Sequence, residues 1–223
     1  MTDIPAADAY IFDIDGTLLV TRDLVHWNAL HQAMVEAYGV DATIEGIQYH
    51  GKTDLSILRA ALARAGVSDG RFEAGLPRAL EIVRREVEAN YRDLKPIVCR
   101  GVLEMLASLG ASGKLLGIAS GNLKTVGWRK IEAAGLRRFF SFGCFSDHHE
   151  SRAEIFRNAV ACAAEKRGAN PRVCFIGDTP SDIEAARNVG AQILAVASGT
   201  FSFEQLNACS PDLCVADCSE FFA

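Results

Sequence analysis

The feature that most restricts the fold is an alternation of short apolar segments with segments of helical periodicity, which runs from residue 95 to residue 215. Five strands are predicted in this part of the chain, at 114–120, 142–145, 172–176, 191–196 and 213–215. Helices are predicted beside them, at 101–109, 125–134, 153–167 and 181–189. Because helices separate the strands, the strands are expected to run parallel, and a parallel sheet needs helices on both faces. The sequence therefore predicts an α/β fold with a Rossmann-like parallel sheet core.

A helical segment interrupts this pattern near the N-terminus. The segment 10–15, Tyr-Ile-Phe-Asp-Ile-Asp, is typical of a buried strand that stops at a turn, and it adds a strand to the sheet. From residue 24 to residue 92, apolar residues recur at helical spacing and glycines separate the helices. We therefore expect an inserted α-helical cap domain at residues 21–94 and a discontinuous core made of residues 1–20 and 95–223.

Composition and charge exclude several classes of protein. The chain has 223 residues, 49% of them hydrophobic and 23% charged, which are the proportions of a globular protein. Its formal net charge of -5 leaves no basic excess for binding a nucleic-acid backbone. No apolar run reaches the roughly 20 residues of a membrane span, and the N-terminus lacks the pattern of a secretory signal. With seven cysteines and no disulfide framework, we expect a cytoplasmic protein without nucleic-acid or membrane partners.

Polar residues follow three of the predicted strands. Asp13 and Asp15 end the first strand, the segment 120–122 (Ser-Gly-Asn) ends the second, and the segment 177–182 follows a later one. In parallel α/β sheets, ligands bind at the carboxyl ends of the strands. These three segments are therefore candidates for one common site.

Asp13 and Asp15 are the first candidates for a metal site. Two residues apart on a strand, their side chains are expected on the same side, with Ile14 in the opposite layer. Two adjacent carboxylates repel one another and raise each other's pKa unless a cation lies between them. A hard divalent ion relieves this repulsion, and Mg²⁺ is the usual ion beside phosphate. The alternative is that the aspartates only cap the turn that follows.

The segment 13–19, Asp-Ile-Asp-Gly-Thr-Leu-Leu, resembles the first motif of the haloacid dehalogenase-like hydrolase superfamily. The resemblance implies a phosphatase in which Asp13 attacks phosphorus and becomes an aspartyl phosphate. It implies that Asp15 protonates the leaving group and later activates water. In the same loop, Gly16 and Thr17 are expected to bind the phosphate group.

Ser120 matches the second motif of the superfamily, a serine or threonine whose hydroxyl group binds the transferring phosphoryl group. Gly121 lets the backbone approach closely, and the side chain of Asn122 can donate hydrogen bonds. Both are therefore expected to assist phosphate binding. A hydroxyl residue at this place can also cap the helix that follows, and the two roles are compatible.

The segment 177–182, Gly-Asp-Thr-Pro-Ser-Asp, resembles the fourth motif of the superfamily. The resemblance implies that Asp178 binds Mg²⁺ together with Asp13 and Asp15. It also implies that Asp182 supports the metal site without binding the ion. The alternative for Asp182 is a stabilising charge at the start of a helix.

The third motif departs from the superfamily pattern. That pattern usually places a lysine before the helix that precedes the fourth motif, whereas the segment 147–154 of this chain contains no lysine. Arg152 is the candidate replacement, because its permanent charge can offset the carboxylates and the phosphate. Its planar guanidinium group is bulkier than an ammonium group, so its contacts with Asp13 are expected to differ.

The helical insertion directly after the first motif matches the subgroup with an α-helical cap, which includes phosphoglycolate phosphatase-like proteins. Within the insertion, the segment 50–54, His-Gly-Lys-Thr-Asp, resembles the cap loop that reaches into the substrate pocket. The resemblance implies that Lys52 meets an anionic group of the substrate. The alternative is a solvated surface lysine.

The expected function is Mg²⁺-dependent hydrolysis of a small phosphorylated metabolite by a monomer or homodimer. Asp15 and Asp178 together disfavour a dehalogenase, which needs neither the metal nor an acid two residues after the nucleophile. A sugar-phosphate mutase shares these motifs and remains an alternative. A non-catalytic protein that binds a phosphorylated metabolite is the other alternative, and the absence of the expected lysine is its only support.

Overall fold

The computed structural model describes residues 6–222, which form eight β-strands, eight α-helices and three short 3₁₀ helices. The strands are β1 (Ala9–Phe12), β2 (Leu19–Thr21), β3 (Pro96–Val98), β4 (Leu115–Ala119), β5 (Phe142–Cys144), β6 (Val173–Gly177), β7 (Gln192–Val196) and β8 (Leu213–Val215). The α-helices are α1 (Val25–Tyr38), α2 (Asp54–Arg64), α3 (Asp69–Asn90), α4 (Val102–Ala111), α5 (Lys124–Ala133), α6 (Arg152–Arg167), α7 (Pro180–Asn188) and α8 (Phe203–Asn207). The 3₁₀ helices are Tyr91–Asp93, Arg137–Phe139 and Cys218–Phe222. None of the helices in these residues combines the length and the apolar character that crossing a membrane requires.

Six of the strands form one parallel sheet in the order β5-β4-β1-β6-β7-β8. Strand β1 lies inside the sheet, where Ala9 is opposite Leu115 of β4 on one side and Val173 of β6 on the other. The predicted fold class is therefore confirmed, because strands and helices alternate and all pairings in this sheet are parallel. The carboxyl ends of β1, β4 and β6 meet at one edge, which brings together the polar segments that follow them.

Helices cover both faces of the sheet, because the strands are apolar on both sides. Tyr10 and Phe12 of β1 belong to a core that is shared with α4. Ile11 points the other way, into a second core that is shared with α6. In that core, Phe156 of α6 stacks on Phe175 of β6 with ring centroids 3.9 Å apart. This packing holds β1, and the loop that follows it, in the middle of the protein.

Strand β1 ends at Phe12, so the predicted strand at 10–15 is wrong at its carboxyl end. Asp13 and Asp15 lie in the following loop, where the two-residue periodicity of a strand no longer applies. Gly16 adopts a φ of 88°, a left-handed conformation that favours glycine, and the loop turns back there. The two aspartates consequently have different surroundings.

Helices α1, α2 and α3 form the insertion between β2 and β3, and they enclose an apolar core of their own. Tyr38 of α1 stacks on Phe72 of α3, and its hydroxyl group donates to the Phe72 carbonyl at 2.9 Å. Thr53 begins α2 with a capping box, and Ser68 caps α3. The helical cap is thus part of the confirmed fold, while its boundaries at residues 21 and 94 stay a prediction.

The two connections between core and cap pair with one another, although the sequence indicates only linkers there. Strands β2 and β3 form an antiparallel pair in which Val20 is opposite Ile97. Three-residue strands carry too little periodicity to be recognised in a sequence. Because of this pairing, both ends of the cap leave the core side by side.

Candidate active site

A cavity of about 590 Å³ lies between the cap and the carboxyl edge of the parallel sheet. Its wall includes Asp13 after β1, Ser120 after β4 and Asp178 after β6. The other predicted site residues that line it are Asp15, Gly16, Lys52, Gly121, Asn122 and Arg152. Thr17 and Asp182 lie behind this wall and are fully buried.

Three buried carboxylates come together at the sheet edge. Asp13, Asp178 and Asp182 each place one oxygen within 4.8 Å of the others. Burial raises the pKa of Asp13 to about 6 against the opposing charge of Arg152, and it raises the pKa of Asp178 well above its ordinary value. Within residues 6–222, Oδ1 of Asp13 is buried and has no hydrogen-bond partner. This donor set fits a hard cation such as Mg²⁺, which takes oxygen ligands and relieves repulsion between carboxylates.

Protein groups already occupy both oxygens of Asp182. Oδ1 accepts a hydrogen bond from Nε of Arg152 at 2.7 Å. Oδ2 accepts from the hydroxyl group of Thr179 at 2.6 Å and from its amide at 3.1 Å. Asp13 and Asp178 are therefore the better candidates for side-chain metal ligands, and Asp182 holds Arg152 in place.

Arg152 connects Asp13 to Asp182. It is the first residue of α6 and only 8% exposed, and its Nη2 lies 2.8 Å from Oδ2 of Asp13. Because Nε of the same guanidinium group donates to Asp182, one planar side chain contacts two carboxylates at once. An ammonium group is a compact point charge and lacks this fork.

Gly16 and Thr17 enclose Asp178. The Thr17 hydroxyl group donates to Oδ1 of Asp178 at 2.9 Å. The amides of Gly16 and Thr17 donate to carbonyl groups of their own loop, and a Cβ atom at Gly16 would overlap the Asp178 carboxylate. The phosphate contacts predicted for these two residues stay a prediction, since their described hydrogen bonds are with neighbouring backbone groups, with Asp178 and, at the Gly16 carbonyl, with Ser198.

Asp15 lies outside the carboxylate cluster and has a cation of its own. Nζ of Lys130 is 2.8 Å from both of its oxygens, and Nδ2 of Asn122 donates to Oδ2 at 2.7 Å. Burial would raise the pKa of Asp15, but the charge and hydrogen bonds of Lys130, together with the hydrogen bond of Asn122, hold the pKa below its ordinary value. Among the described residues, the carboxylate cluster that could hold a metal ion contains Asp13, Asp178 and Asp182. The part predicted for Asp15 in a metal site stays a prediction.

Lys130 is a site residue that sequence reasoning missed. It lies in α5 and is 2% exposed. Val126 and Gly127, which precede it by four and three residues, are buried as well. Residues at these spacings share one face of a helix, so the position of Lys130 relative to Val126 was the available signal.

Ser120 and Asn122 form a hydrogen-bonded loop after β4. Nδ2 of Asn122 donates to Oγ of Ser120 at 2.9 Å, and Oδ1 of Asn122 accepts from Lys130 at 2.9 Å. A hydroxyl group that accepts a hydrogen bond can still donate its own hydrogen. Ser120 therefore lines the cavity with the capacity to donate to a phosphoryl oxygen.

The cap supplies further polar groups beside this loop. Oδ2 of Asp54, at the start of α2, accepts from the Leu123 amide at 2.7 Å and lies 3.1 Å from Nε2 of His26. The backbone of Lys52 packs so closely on the core that a Cβ atom at Gly121 would overlap its carbonyl group. The Lys52 side chain is exposed at the cavity, and its substrate contact stays a prediction. Asp54 ends the segment 50–54 that resembles the cap loop, whereas nothing in the sequence pattern marks His26 as part of the site.

Comparison with known proteins agrees with the motifs and the fold. The sequence profile of the haloacid dehalogenase-like hydrolase family matches residues 10–196. The chain belongs to this family. It is 31% identical over 205 residues to a phosphoglycolate phosphatase from Synechococcus elongatus, an alignment that covers 92% of this chain and 90% of the relative. It is 26% identical over 223 residues to a phosphoglycolate phosphatase from Agrobacterium fabrum, with 97% and 91% coverage.

A solved structure of the same fold is that of CbbY from Rhodobacter sphaeroides in complex with phosphate. The TM-score is 0.72 at 17% identity, and the match covers 97% of this chain and 96% of that chain. At this identity the similarity concerns the fold alone. The resemblance stated from the motifs is confirmed, and so is the enzyme class, a haloacid dehalogenase-like phosphatase.

Proposed function

We propose that the protein is a Mg²⁺-dependent phosphomonoester hydrolase that acts on a small phosphorylated metabolite through an aspartyl-phosphate intermediate. The observation that carries the proposal is the position of Asp13 in the cavity wall. Its Oδ2 faces Arg152, and its Oδ1 has no hydrogen-bond partner among residues 6–222. The names of the sequence relatives support phosphoryl chemistry.

Asp13 and Asp178 are the residues that would hold Mg²⁺. A bound ion would offset the negative charge of these carboxylates and of the phosphate group. Arg152 supplies a second, permanent positive charge from the protein itself. Ser120 lies at the next strand end, where its hydroxyl group can donate to a phosphoryl oxygen.

The proposed reaction has two steps. In the first, a carboxylate oxygen of Asp13 bonds to phosphorus, the bond from phosphorus to the ester oxygen breaks, and Asp15 gives a proton to the departing alcohol. In the second, water attacks phosphorus, Asp15 takes a proton from the water, and Asp13 is released together with inorganic phosphate. The first step needs Asp15 protonated and the second needs it as a carboxylate. Its lowered pKa favours the carboxylate, so the first step draws on the less populated, protonated form.

The cavity supports a substrate larger than a two-carbon acid. With the cap packed on the core its volume is about 590 Å³, which lies within the range of pockets for drug-sized ligands. Aromatic and aliphatic side chains line the part of the cavity that the cap contributes, namely Trp27, Leu30, Ile44, Tyr49 and Ile57. We therefore extend the proposal to a monoester whose alcohol part carries apolar or aromatic surface.

Release of inorganic phosphate from a panel of monoesters tests the proposal. The panel contains phosphoglycolate, a hexose 6-phosphate, N-acetylmuramic acid 6-phosphate and an aryl phosphate, each assayed with Mg²⁺ and with excess EDTA. Asp13→Asn should abolish turnover, whereas Asp93→Asn, at an exposed carboxylate outside the cavity, should retain it. Turnover that survives in Asp13→Asn or in EDTA would contradict the proposal.

The same assay separates the two alternatives. A hydrolase releases alcohol and phosphate in equal amounts, whereas a mutase returns an isomer of the phosphorylated substrate. A non-catalytic protein would bind the esters and release neither product.

A further inference from the structure

A chain of polar groups connects the cap to the proposed acid and base, and the mechanism above does not use it. Nζ of Lys130 lies 2.8 Å from both oxygens of Asp15, 2.9 Å from Oδ1 of Asn122 and 3.3 Å from Nδ1 of His26. Nε2 of His26 lies 3.1 Å from Oδ2 of Asp54. His26 and Asp54 belong to helices α1 and α2 of the cap, whereas Lys130 belongs to α5 of the core.

The direction of each hydrogen bond in this chain follows from the chemistry of the groups. An ammonium group has three hydrogens and no acceptor. The three hydrogens of Lys130 meet three acceptor groups, which belong to Asp15, Asn122 and His26. Nδ1 of His26 must therefore accept, so Nε2 carries the ring hydrogen and donates to Asp54. Each group in the chain is thus oriented by its neighbour.

The burial of Lys130 indicates a role beyond stability. Its side chain is only 3% exposed, and a buried ammonium group is unfavourable unless it is paired and fully hydrogen-bonded. An apolar side chain of similar volume could occupy the position of Lys130 without the cost of burying a charge. The hydrogen bonds of Lys130 are complete only when the cap places His26 against it.

We propose that Lys130 is a positioning residue that holds the Asp15 carboxylate in place, and that His26 completes its hydrogen bonding when the cap packs on the core. This inference rests on the proposed phosphatase function and adds a coupling between the cap and the acid and base. Asp15 exchanges the proton with the substrate, and Lys130 acts only through Asp15.

Leaving-group dependence separates this role from a general loss of the site. An alkoxide needs a proton to depart, whereas p-nitrophenolate departs without one. We expect Lys130→Met to lower kcat/KM for an alkyl phosphate by about 100-fold, which is within the usual contribution of a general acid. For p-nitrophenyl phosphate the loss should stay below about 10-fold. Lys130→Arg, which keeps the charge, should recover part of the loss.

Two further variants control for general effects of replacing a lysine on this helix and for the charge that Lys130→Met leaves unpaired at Asp15. Lys124→Met changes an exposed lysine of the same helix that does not line the cavity. It should leave kcat/KM unchanged for both esters. Asp15→Asn combined with Lys130→Met removes both charges of the pair, so it leaves no buried carboxylate without its cation. This double variant should have the same leaving-group profile as Asp15→Asn alone.

A double-mutant cycle tests the coupling to the cap. His26→Phe keeps an aromatic ring but removes the acceptor, and we expect it to lower kcat/KM for the alkyl phosphate by about 10-fold. In the Lys130→Met background, the same change should cause no further loss of kcat/KM, because the two residues act through the same series of hydrogen bonds.

The possible outcomes are distinct. Equal losses for both esters in Lys130→Met, with an unchanged unfolding temperature, would overturn the positioning role of Lys130. Fully additive losses from His26→Phe and Lys130→Met would overturn the coupling to the cap. A wild-type protein that hydrolyses neither ester with Mg²⁺ would overturn the proposed function, and the inference with it.

Discussion

The variant Asp13→Asn should stabilise the metal-free protein although the proposed function expects it to abolish turnover, because the buried carboxylate opposes folding. Burial raises the pKa of Asp13 from its ordinary value of 3.8 to about 6, and the attraction of Arg152 is already included in that value. At roughly 1.36 kcal/mol for each pKa unit, the shift corresponds to about 3 kcal/mol of destabilisation when the group is ionised. Asparagine has nearly the same volume and carries no charge.

The direction of the shift determines the pH range of the effect. Below about pH 3, Asp13 is protonated in the folded and the unfolded protein and carries no penalty. Between about pH 4 and pH 6, the folded protein retains a proton that the unfolded chain has lost, so stability falls as pH rises. The advantage of the variant should grow from near zero at about pH 3 to about 3 kcal/mol at about pH 7, or roughly 6–12 °C in Tm.

Calorimetric unfolding in EDTA at several pH values measures this difference. Asp93→Asn, at an exposed carboxylate, is the control and should follow the wild-type curve. Mg²⁺ should raise the Tm of the wild type at neutral pH and have little effect on Asp13→Asn. A variant that is no more stable than the wild type at neutral pH in EDTA would refute the reasoning.

Three further changes test other parts of the site. Arg152→Lys should lower kcat/KM by about 10- to 100-fold in steady-state assays, because an ammonium group cannot bridge two carboxylates as the guanidinium group does. Gly16→Ala should lower the free energy of unfolding, measured in urea, by about 1–3 kcal/mol more than Gly39→Ala does. Both glycines have a positive φ, but only the first would place a Cβ atom against Asp178. Trp27→Ala should raise KM for esters with an apolar alcohol by about 10-fold and change KM for phosphoglycolate less.

The convergence of the polar segments was predictable because it depends on strand direction alone. Asp13, Ser120 and Asp178 each follow an apolar run that is recognisable in the sequence. Parallel strands place their carboxyl ends at one edge, so the three residues were expected there without knowledge of the strand order. The strand order was not predictable, because the apolar runs have similar length and composition and their sequence pattern does not indicate which of them pair.

The surroundings of Asp15 were not predictable for two physical reasons. The strand ends at Phe12, so the spacing rule that put Asp13 and Asp15 on one side did not apply to them. Lys130 and Asp15 are 115 residues apart in the chain, and a lysine on a helix is ordinarily exposed. Only the packing of α5 beneath the cap buries this lysine and pairs it with Asp15.

Separate cations of the protein give the two aspartates of the first motif their different properties. Asp13 faces Arg152, and Asp15 faces Lys130. The repulsion that led us to predict one ion between these aspartates is therefore relieved at Asp15 by the lysine. The pKa is raised to about 6 at Asp13, where burial dominates, and lowered at Asp15, where burial is outweighed by Lys130 and Asn122 together. On the proposed function, a metal ion would then be needed only where Asp13 meets Asp178, and one two-residue motif would supply a nucleophile and a separately held acid and base.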